Sequence, residues 1–199
     1  MNKKRFRIDF NSPIILWMAI LSFAFLVLDM IFGKRIGPFL SAYRTSIADP
    51  MQYLRLFTHV LVHSDISHYT GNFMMILAIG PMVEEKYSSS QLLLVTICTA
   101  VITGLVNVLF FPGKAVLGAS GIVFMLILLA SFTNIQQGKL PITVPLVAIL
   151  YIGNEVLKGL FSIDNISQIS HIIGGICGAL FGIAFHSIRF RAKAKAKAD

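Results

Sequence analysis

The chain has 199 residues, of which 56% are hydrophobic and 13% are charged, and it carries a formal net charge of +8. Ordinary globular domains contain about 25% charged residues, so this composition excludes a sizeable soluble domain and indicates an integral membrane protein. The basic residues are concentrated at the two ends of the chain, in KKRFR and RFRAKAKAKAD. This distribution fits the cytoplasmic flanks of membrane helices and contact with anionic lipid. We therefore predict no nucleic-acid partner.

The first apolar run, at about 13–32, follows the basic stretch MNKKRFR. A secretory signal peptide also begins with a basic region, but its apolar core is shorter and ends at a small-residue cleavage site. The run is too long for such a core, and no cleavage site of that kind is evident. We interpret it as the first membrane-spanning helix.

Apolar runs long enough to cross a bilayer, which takes about 20 residues, recur along the chain. They predict an all-α polytopic membrane protein with six spans, at about 13–32, 67–83, 92–111, 119–134, 142–161 and 168–186. An even number of spans places both termini on one side, and the bias of Lys and Arg predicts the cytoplasmic side of the cell membrane. The predicted organisation is a basic cytoplasmic N-terminus (1–12), a compact six-helix membrane domain (13–186) and a basic cytoplasmic tail (187–199).

The connection between the first two spans is about 34 residues long and is not rich in Gly and Ser. Its apolar residues recur at roughly helical spacing: Phe39, Leu40, Met51, Leu54, Phe57, Val60 and Leu61. A segment of this kind is typical of an amphipathic helix at the membrane interface. We therefore predict an interfacial loop that is partly helical.

The six predicted spans differ in polarity. The first, the third and most of the fourth are apolar in the ordinary way. Polar side chains occur in the second, fifth and sixth spans: His68, Asn72, Asn154, Glu155, Lys158 and His171. Because polar groups at membrane depth are costly, they usually face an interior cavity and indicate function.

The sequence GASG, at 118–121, opens the fourth span after the break FFPGKAV. Small residues of this kind favour close packing of membrane helices, and taken alone the motif is more typical of packing than of catalysis. The break before it, however, predicts that Ser120 lies at a helix N-terminus. Free backbone N–H groups and the helix dipole could stabilise an oxyanion there.

A serine nucleophile needs a base, because its hydroxyl is weakly nucleophilic on its own. His171 lies inside the sixth span and is followed by glycines at intervals of three or four: Gly174 or Gly175, Gly178 and Gly182. These positions share one helix face. We predict that this face packs against GASG and brings His171 to Ser120, although a membrane histidine can also simply bond to a neighbouring helix.

His68 and Asn72 are four residues apart and should share a helix face at the start of the second span. An imidazole and an amide in this position could donate hydrogen bonds to an oxyanion. A metal site formed by His59, His63 and His68 is the alternative, but the sequence has no HExxH motif and no clearly placed carboxylate. We predict neither a metal nor another cofactor.

Taken together, these features resemble the rhomboid family of intramembrane serine proteases. The resemblance covers nearly the whole chain and rests on FTHVLVHSDISHYTGN (57–72), EEKY (84–87), GASG (118–121) and HIIGGICGALFG (171–182), in that order. It implies a compact rhomboid-like bundle of six helices. In such a site Ser120 would be the nucleophile, and His171 would be the general base and later the acid. His68, Asn72 and the backbone N–H of Ser120 would form the oxyanion hole.

The resemblance also implies supporting roles. Gly118 would keep the loop before the serine open, and Gly121 would admit close helix contact. His63 resembles an additional polar loop residue near the water-filled site. Glu84 resembles an acidic residue that ties loops together on the cytoplasmic side.

Two positions depart from the family pattern. Phe124 stands where the family often has Tyr; it retains the ring that could stack on the catalytic histidine and lacks the hydroxyl. Leu54 precedes Arg55 where the family has Trp-Arg, so the interfacial anchor expected of Trp is missing. Neither departure removes a predicted catalytic group.

The sequence therefore predicts an intramembrane serine endopeptidase that cuts membrane-anchored proteins in or near their transmembrane segments. One alternative is a catalytically silent relative that binds membrane segments for quality control. Another is a transporter or channel, against which stands the absence of visible inverted repeats in the sequence. The predicted partners are transmembrane protein substrates and membrane lipid, and the sequence indicates no particular oligomeric state.

Overall fold

Helices form the regular structure of the computed structural model, which describes residues 10–134, several positions between 142 and 157, and 166–195, with side chains over 167–187. The helices are α1 (Pro13–Ile31), α2 (Ile36–Leu40), α3 (Pro50–Thr58), α4 (Ile66–Tyr87), α5 (Ser89–Phe110), α6 (Ser120–Ser131) and α7 (Ile166–Lys195). Short 3₁₀ turns at His59–Leu61 and Phe132–Asn134 extend α3 and α6. The all-helical fold predicted from the sequence is confirmed at this level.

Three of the described helical segments are long and apolar enough to cross a membrane: Pro13–Ile31, Ser89–Phe110 and Ser167–Ser187. They correspond to the first, third and sixth predicted spans. Many large apolar side chains on these segments are exposed, Trp17, Phe110 and Leu180 among them. Exposure of this kind is expected where lipid surrounds the protein, and the chain is a multi-pass membrane protein.

The remaining predicted spans have different outcomes. α4 has 22 residues but carries several polar side chains, and α6 has only 12 residues. The fifth span, with Asn154, Glu155 and Lys158, lies mostly outside the described residues. The count of six spans therefore stays a prediction.

α6 is the central helix of the described bundle. It is apolar on all sides, and most of its residues are buried, including Ile122, Met125 and Leu129. A helix without a polar face is favourable only away from water, in a protein core or in a membrane, and here α4, α5 and α7 all pack against α6. This position makes the N-terminus of α6 a junction of several elements.

α3 is a short helix within the connection between α1 and α4, whose place at the membrane interface stays a prediction. Asp49 caps the helix by accepting a hydrogen bond from the Met51 N–H at 2.9 Å. The side chains of Gln52 and Arg55 are buried, whereas Leu54 and Phe57 are exposed. The helix therefore exposes Leu54 and Phe57 and buries the polar side chains of Gln52 and Arg55 together with Leu56.

Glu84 joins α4 to the start of α1. Its two carboxylate oxygens each accept a backbone hydrogen bond at 3.1 Å, from the N–H groups of Ile14 and Ile15. The first N–H groups of a helix lack partners within the helix, and a carboxylate also interacts favourably with that end of the helix dipole. The residue thus caps a helix, whereas the family resemblance had suggested a tie between loops.

Glu84→Gln is expected to destabilise the protein by about 1–3 kcal/mol, because the side chain is buried and one of the two N–H groups would lose its charged acceptor. The matched control is Glu85→Gln on the next, exposed position of α4. Thermal unfolding in detergent measures both variants. Equal melting temperatures for the two would contradict the capping role.

Candidate active site

Ser120 is the first residue of α6, as the break before it predicts. Ala119 precedes the helix, and Gly118 has a φ of +110°. L-residues with a side chain rarely adopt this conformation. A Cβ at Gly118 would also lie only 2.6 Å from both Cε1 and Nε2 of His68. Glycine at this position is therefore required by the backbone and by the neighbouring ring.

The loop that leads to Ser120 is held by the connection between α1 and α4. Val116 pairs with Ala42 through two backbone hydrogen bonds of 2.9 Å, and the Gly118 N–H donates to the His59 carbonyl at 2.9 Å. The Ala119 N–H donates to Nε2 of His63 at 3.3 Å. The backbone before the serine is fixed at three positions by groups distant in sequence.

Asn107 is a further positioning residue that the sequence analysis missed. It is buried near the end of α5, and its Nδ2 donates to the carbonyl oxygens of Ala42 at 2.8 Å and Lys114 at 3.0 Å. Asn107 therefore connects α5 both to Ala42, in the segment between α1 and α4, and to Lys114, in the loop before Ser120. An amide within the otherwise apolar third span was the signal that could have revealed it.

His68 and Asn72 lie next to Gly118 on one face of α4, as their spacing predicts. The Nδ2 of Asn72 lies 3.6 Å from the Cβ position of Gly118. This Nδ2 is buried and has no hydrogen-bond partner among the described residues. A buried donor without a partner is costly, and here two donor-bearing side chains converge just before Ser120.

α7 approaches α6 along the glycine face that follows His171. A Cβ at Gly174 would collide with the carbonyl oxygen of Gly121, and a Cβ at Gly178 with that of Met125. The packing predicted between the glycine stripe and GASG is therefore present. A Cβ at Gly121 itself would lie 3.4 Å from the Ser170 carbonyl oxygen. That is ordinary van der Waals contact, so the glycine on which the contact depends is Gly174.

The rings of Phe124 and His171 stack, with centroids 4.4 Å apart and an interplanar angle of 7°. Phe124 lies one helical turn after Ser120, so the stack places His171 on the side of α6 that carries the serine. Stacking therefore does not require the hydroxyl that Phe124 lacks. The hydrogen bond between Ser120 and His171 stays a prediction.

His59 and His63 are buried and engaged in the scaffold. The ring nitrogens of His59 lie 3.1 Å from the Arg55 carbonyl oxygen and 3.3 Å from the Thr103 hydroxyl. Burial lowers the pKa of His63 to about 4, which keeps the ring neutral and Nε2 free to accept from Ala119. In the described part of the chain, no group of three His, Cys, Asp or Glu side chains is placed to hold a metal.

The arrangement can support acyl transfer. A serine hydroxyl lies at the positive end of a helix dipole, the side chains of His68 and Asn72 lie beside Gly118 two residues earlier, and an imidazole is held on the facing helix.

Comparison with known proteins gives a family match and several relatives. The family model described as "Rhomboid domain" matches residues 50–188. The rhomboid protease GluP of Bacillus subtilis (strain 168) is 27% identical over 146 residues, which cover 72% of this chain and 28% of that protein. The rhomboid protease GlpG of Yersinia pestis (strain Pestoides F) is 27% identical over 184 residues, covering 92% of this chain and 65% of the relative. The chain thus spans less than two thirds of either relative.

Proposed function

The chain belongs to the rhomboid family, and we propose on that basis that it is an intramembrane serine endopeptidase. Its substrates would be membrane-anchored proteins, cut in or near their transmembrane segments. The observation that carries the proposal is the convergence on Gly118, two residues before Ser120, of His68 and the Asn72 Nδ2, which has no hydrogen-bond partner within the described part of the chain. A structural core has no need of a buried donor without an acceptor, whereas an oxyanion hole does.

In the proposed mechanism, the Ser120 hydroxyl attacks the scissile carbonyl while His171 takes its proton. The developing oxyanion accepts hydrogen bonds from Asn72, His68 and the Ser120 N–H at the helix terminus. His171 then gives the proton to the leaving amine. Water deacylates the serine by the same steps, with His171 again acting as base.

The membrane arrangement that we propose has six spans with both termini in the cytoplasm and α3 in the interface. Support comes from the exposed Leu54 and Phe57 on α3, because an apolar outer face there is favourable only against lipid. Lysines and arginines concentrated at both ends of the chain favour cytoplasmic termini.

The substrate segment must unwind at the cut site, since a helical peptide bond is shielded by its own turn. We therefore propose that substrates contain helix-weakening residues near the cut and a small side chain at it. Gly and Pro have the lowest helix propensities and are the residues expected there.

Cleavage assays in proteoliposomes test the proposal, with the purified chain and a model membrane-anchored substrate carrying such a segment. A serine-directed fluorophosphonate should label the protein, and EDTA should leave cleavage unchanged. Binding of the substrate without cleavage or labelling would favour the catalytically silent alternative. Cleavage that EDTA abolishes would instead indicate a metal-dependent enzyme.

Gly118→Ala is expected to lower kcat by about 10²–10³-fold, the range seen when one oxyanion-hole donor is lost. The added Cβ would displace the His68 ring and strain a backbone with positive φ. Gly113→Ala, in the same loop, is the matched control because no described residue beyond its chain neighbours lies within 4 Å of its Cβ position. Kinetics of both variants at saturating substrate give the comparison, and equal kcat values would contradict the role of Gly118.

A further inference from the structure

Ser64 and Asp65 form a hydrogen-bonded chain that ends on the ring of His68. The Ser64 Oγ lies 3.1 Å from Nδ1 of His68 and 2.7 Å from Oδ2 of Asp65. The other carboxylate oxygen, Oδ1, accepts from the His68 backbone N–H at 2.8 Å and caps α4. Asp65 therefore holds both the hydroxyl and the start of the helix that carries His68.

The protons in this chain can be assigned from the chemistry of the groups. Hydrogen bonds from the His68 N–H and the Ser64 hydroxyl lower the pKa of Asp65, so the carboxylate is ionised at neutral pH and can only accept. The single hydroxyl proton of Ser64 then lies towards Asp65. Only the lone pairs of Ser64 Oγ remain for the ring, and Nδ1 of His68 must be the donor.

This assignment has a consequence at the other ring nitrogen. Nε2 of His68 faces Gly118, and in a neutral ring with its proton on Nδ1 it carries a bare lone pair. A lone pair repels an oxyanion. We propose that Ser64 and Asp65 are positioning residues that hold the proton of neutral His68 on Nδ1, so that His68 serves the oxyanion hole only as the imidazolium. This inference rests on the proposed function and adds a protonation requirement to the same site.

The charges around the ring act in opposite directions. Asp65 favours the imidazolium, whereas burial of the ring disfavours it most strongly and His171 adds to that effect. The Nζ of Lys34 donates to the Ser64 carbonyl at 2.7 Å. His63, with ring centroid 5.0 Å away, is neutral while its Nε2 accepts from Ala119. His171 adds positive charge once it takes the serine proton. The second proton of His68 comes from solvent before the oxyanion forms and returns to solvent after the oxyanion collapses.

The tautomer of His68 can be measured without any cleavage assay, by ¹⁵N NMR of the full chain with labelled histidines in detergent. The signals of His68 are those that disappear in His68→Gln. Spectra are recorded at about pH 8.5, two units above the ordinary histidine pKa of about 6.5, where the ring is neutral. We expect the proton on Nδ1 in wild type, in Ser64→Thr and in the control Ser67→Ala. In Ser64→Ala the proton should move wholly or partly to Nε2. Protonation of Nε2 in neutral wild type, or no change in Ser64→Ala, would overturn the proposal.

The pH profile of kcat gives a second readout that a purely structural role would not produce. Wild type should lose activity on the alkaline side as His68 loses its second proton, in addition to the acidic loss expected of a histidine base. Ser64→Ala should flatten the alkaline limb, and Ser64→Thr should restore it. If Ser64→Ala lost rate equally at every pH and kept the alkaline decline of wild type, Ser64 would have only a packing role. If the protein proves not to cleave at all, the NMR experiment still decides the tautomer.

Discussion

Ser120→Ala is expected to abolish cleavage, with a loss of at least about 10⁴-fold in kcat, since removal of a serine nucleophile or its histidine base leaves only the contribution of binding and the oxyanion hole. His171→Ala should cost a similar factor. Because the two groups act as a unit, the double variant should be no slower than either single variant. Cleavage of a membrane-anchored substrate under single-turnover conditions measures all three.

Each of these variants has a matched control on its own helix. Ser131→Ala removes a hydroxyl at the far end of α6, where it donates to the Ile127 carbonyl at 3.0 Å. His186→Ala lies 15 residues beyond His171 on α7, about 22 Å along the helix at a rise of about 1.5 Å per residue. Both controls should cut at the rate of wild type.

If one of these variants retained activity, it would show which of the two proposed catalytic roles is wrong. Cleavage by Ser120→Ala would exclude Ser120 as the nucleophile. If only His171→Ala remained active, and its fluorophosphonate labelling were also unchanged, the base would have to be another group. The folded state of each variant is checked by its melting temperature, so that loss of structure is not mistaken for loss of chemistry.

Local patterns predicted the elements that carry the site. The break before GASG indicated the start of α6, the spacing of His68 and Asn72 indicated a shared face, and the glycines after His171 indicated close packing. Each of these is a short-range signal, set by helix geometry or by the size of a side chain. The sequence alone was sufficient to predict a feature when that feature depended on a single helix or a single loop.

Contacts between distant segments could not be predicted in this way. Nothing in the local sequence pairs Asn107 with the carbonyl of Ala42, or His63 with the N–H of Ala119, although these bonds fix the loop before the serine. Every residue has the same backbone N–H and C=O groups, so the sequence does not indicate which of them will bond to a side chain. Their partners depend on how the helices pack. The contact of Glu84 with α1 could not be predicted for the same reason, because the α1 N–H groups it accepts from are about 70 residues away in the chain.

The packing of α7 on α6 is where stability and the proposed chemistry depend on the same contacts. Gly174 and Gly178 allow backbone-to-backbone approach, and His171 lies at the end of that face. The stack of His171 on Phe124 holds the ring only while the helices remain close. Catalytic geometry should therefore respond to substitutions that contact no reacting group.

Gly178→Ala is expected to destabilise the protein by about 1–3 kcal/mol, as overpacking of a closely packed contact does. The Cβ would collide with the carbonyl oxygen of Met125, a backbone atom that cannot rotate away, so α7 must move outwards. A misplacement of about 1 Å can cost about 10²-fold in rate, and we expect a loss of that order in kcat for the folded fraction. Thermal unfolding and fluorophosphonate labelling measure the two effects separately.

Gly71→Ala is the control for this variant, because it introduces the same methyl group in α4 at a position where no other described element comes within 4 Å. It should be neutral or stabilising by up to about 1 kcal/mol, the helix-propensity difference between the two residues. The decisive comparison is the rate per folded molecule, since Gly178 lies two turns from His171 and touches no reacting group. A lower melting temperature with an unchanged rate would mean that Phe124 holds His171 without help from the glycine face. A parallel fall in both would show that close approach of α6 and α7 sets the distance between base and nucleophile.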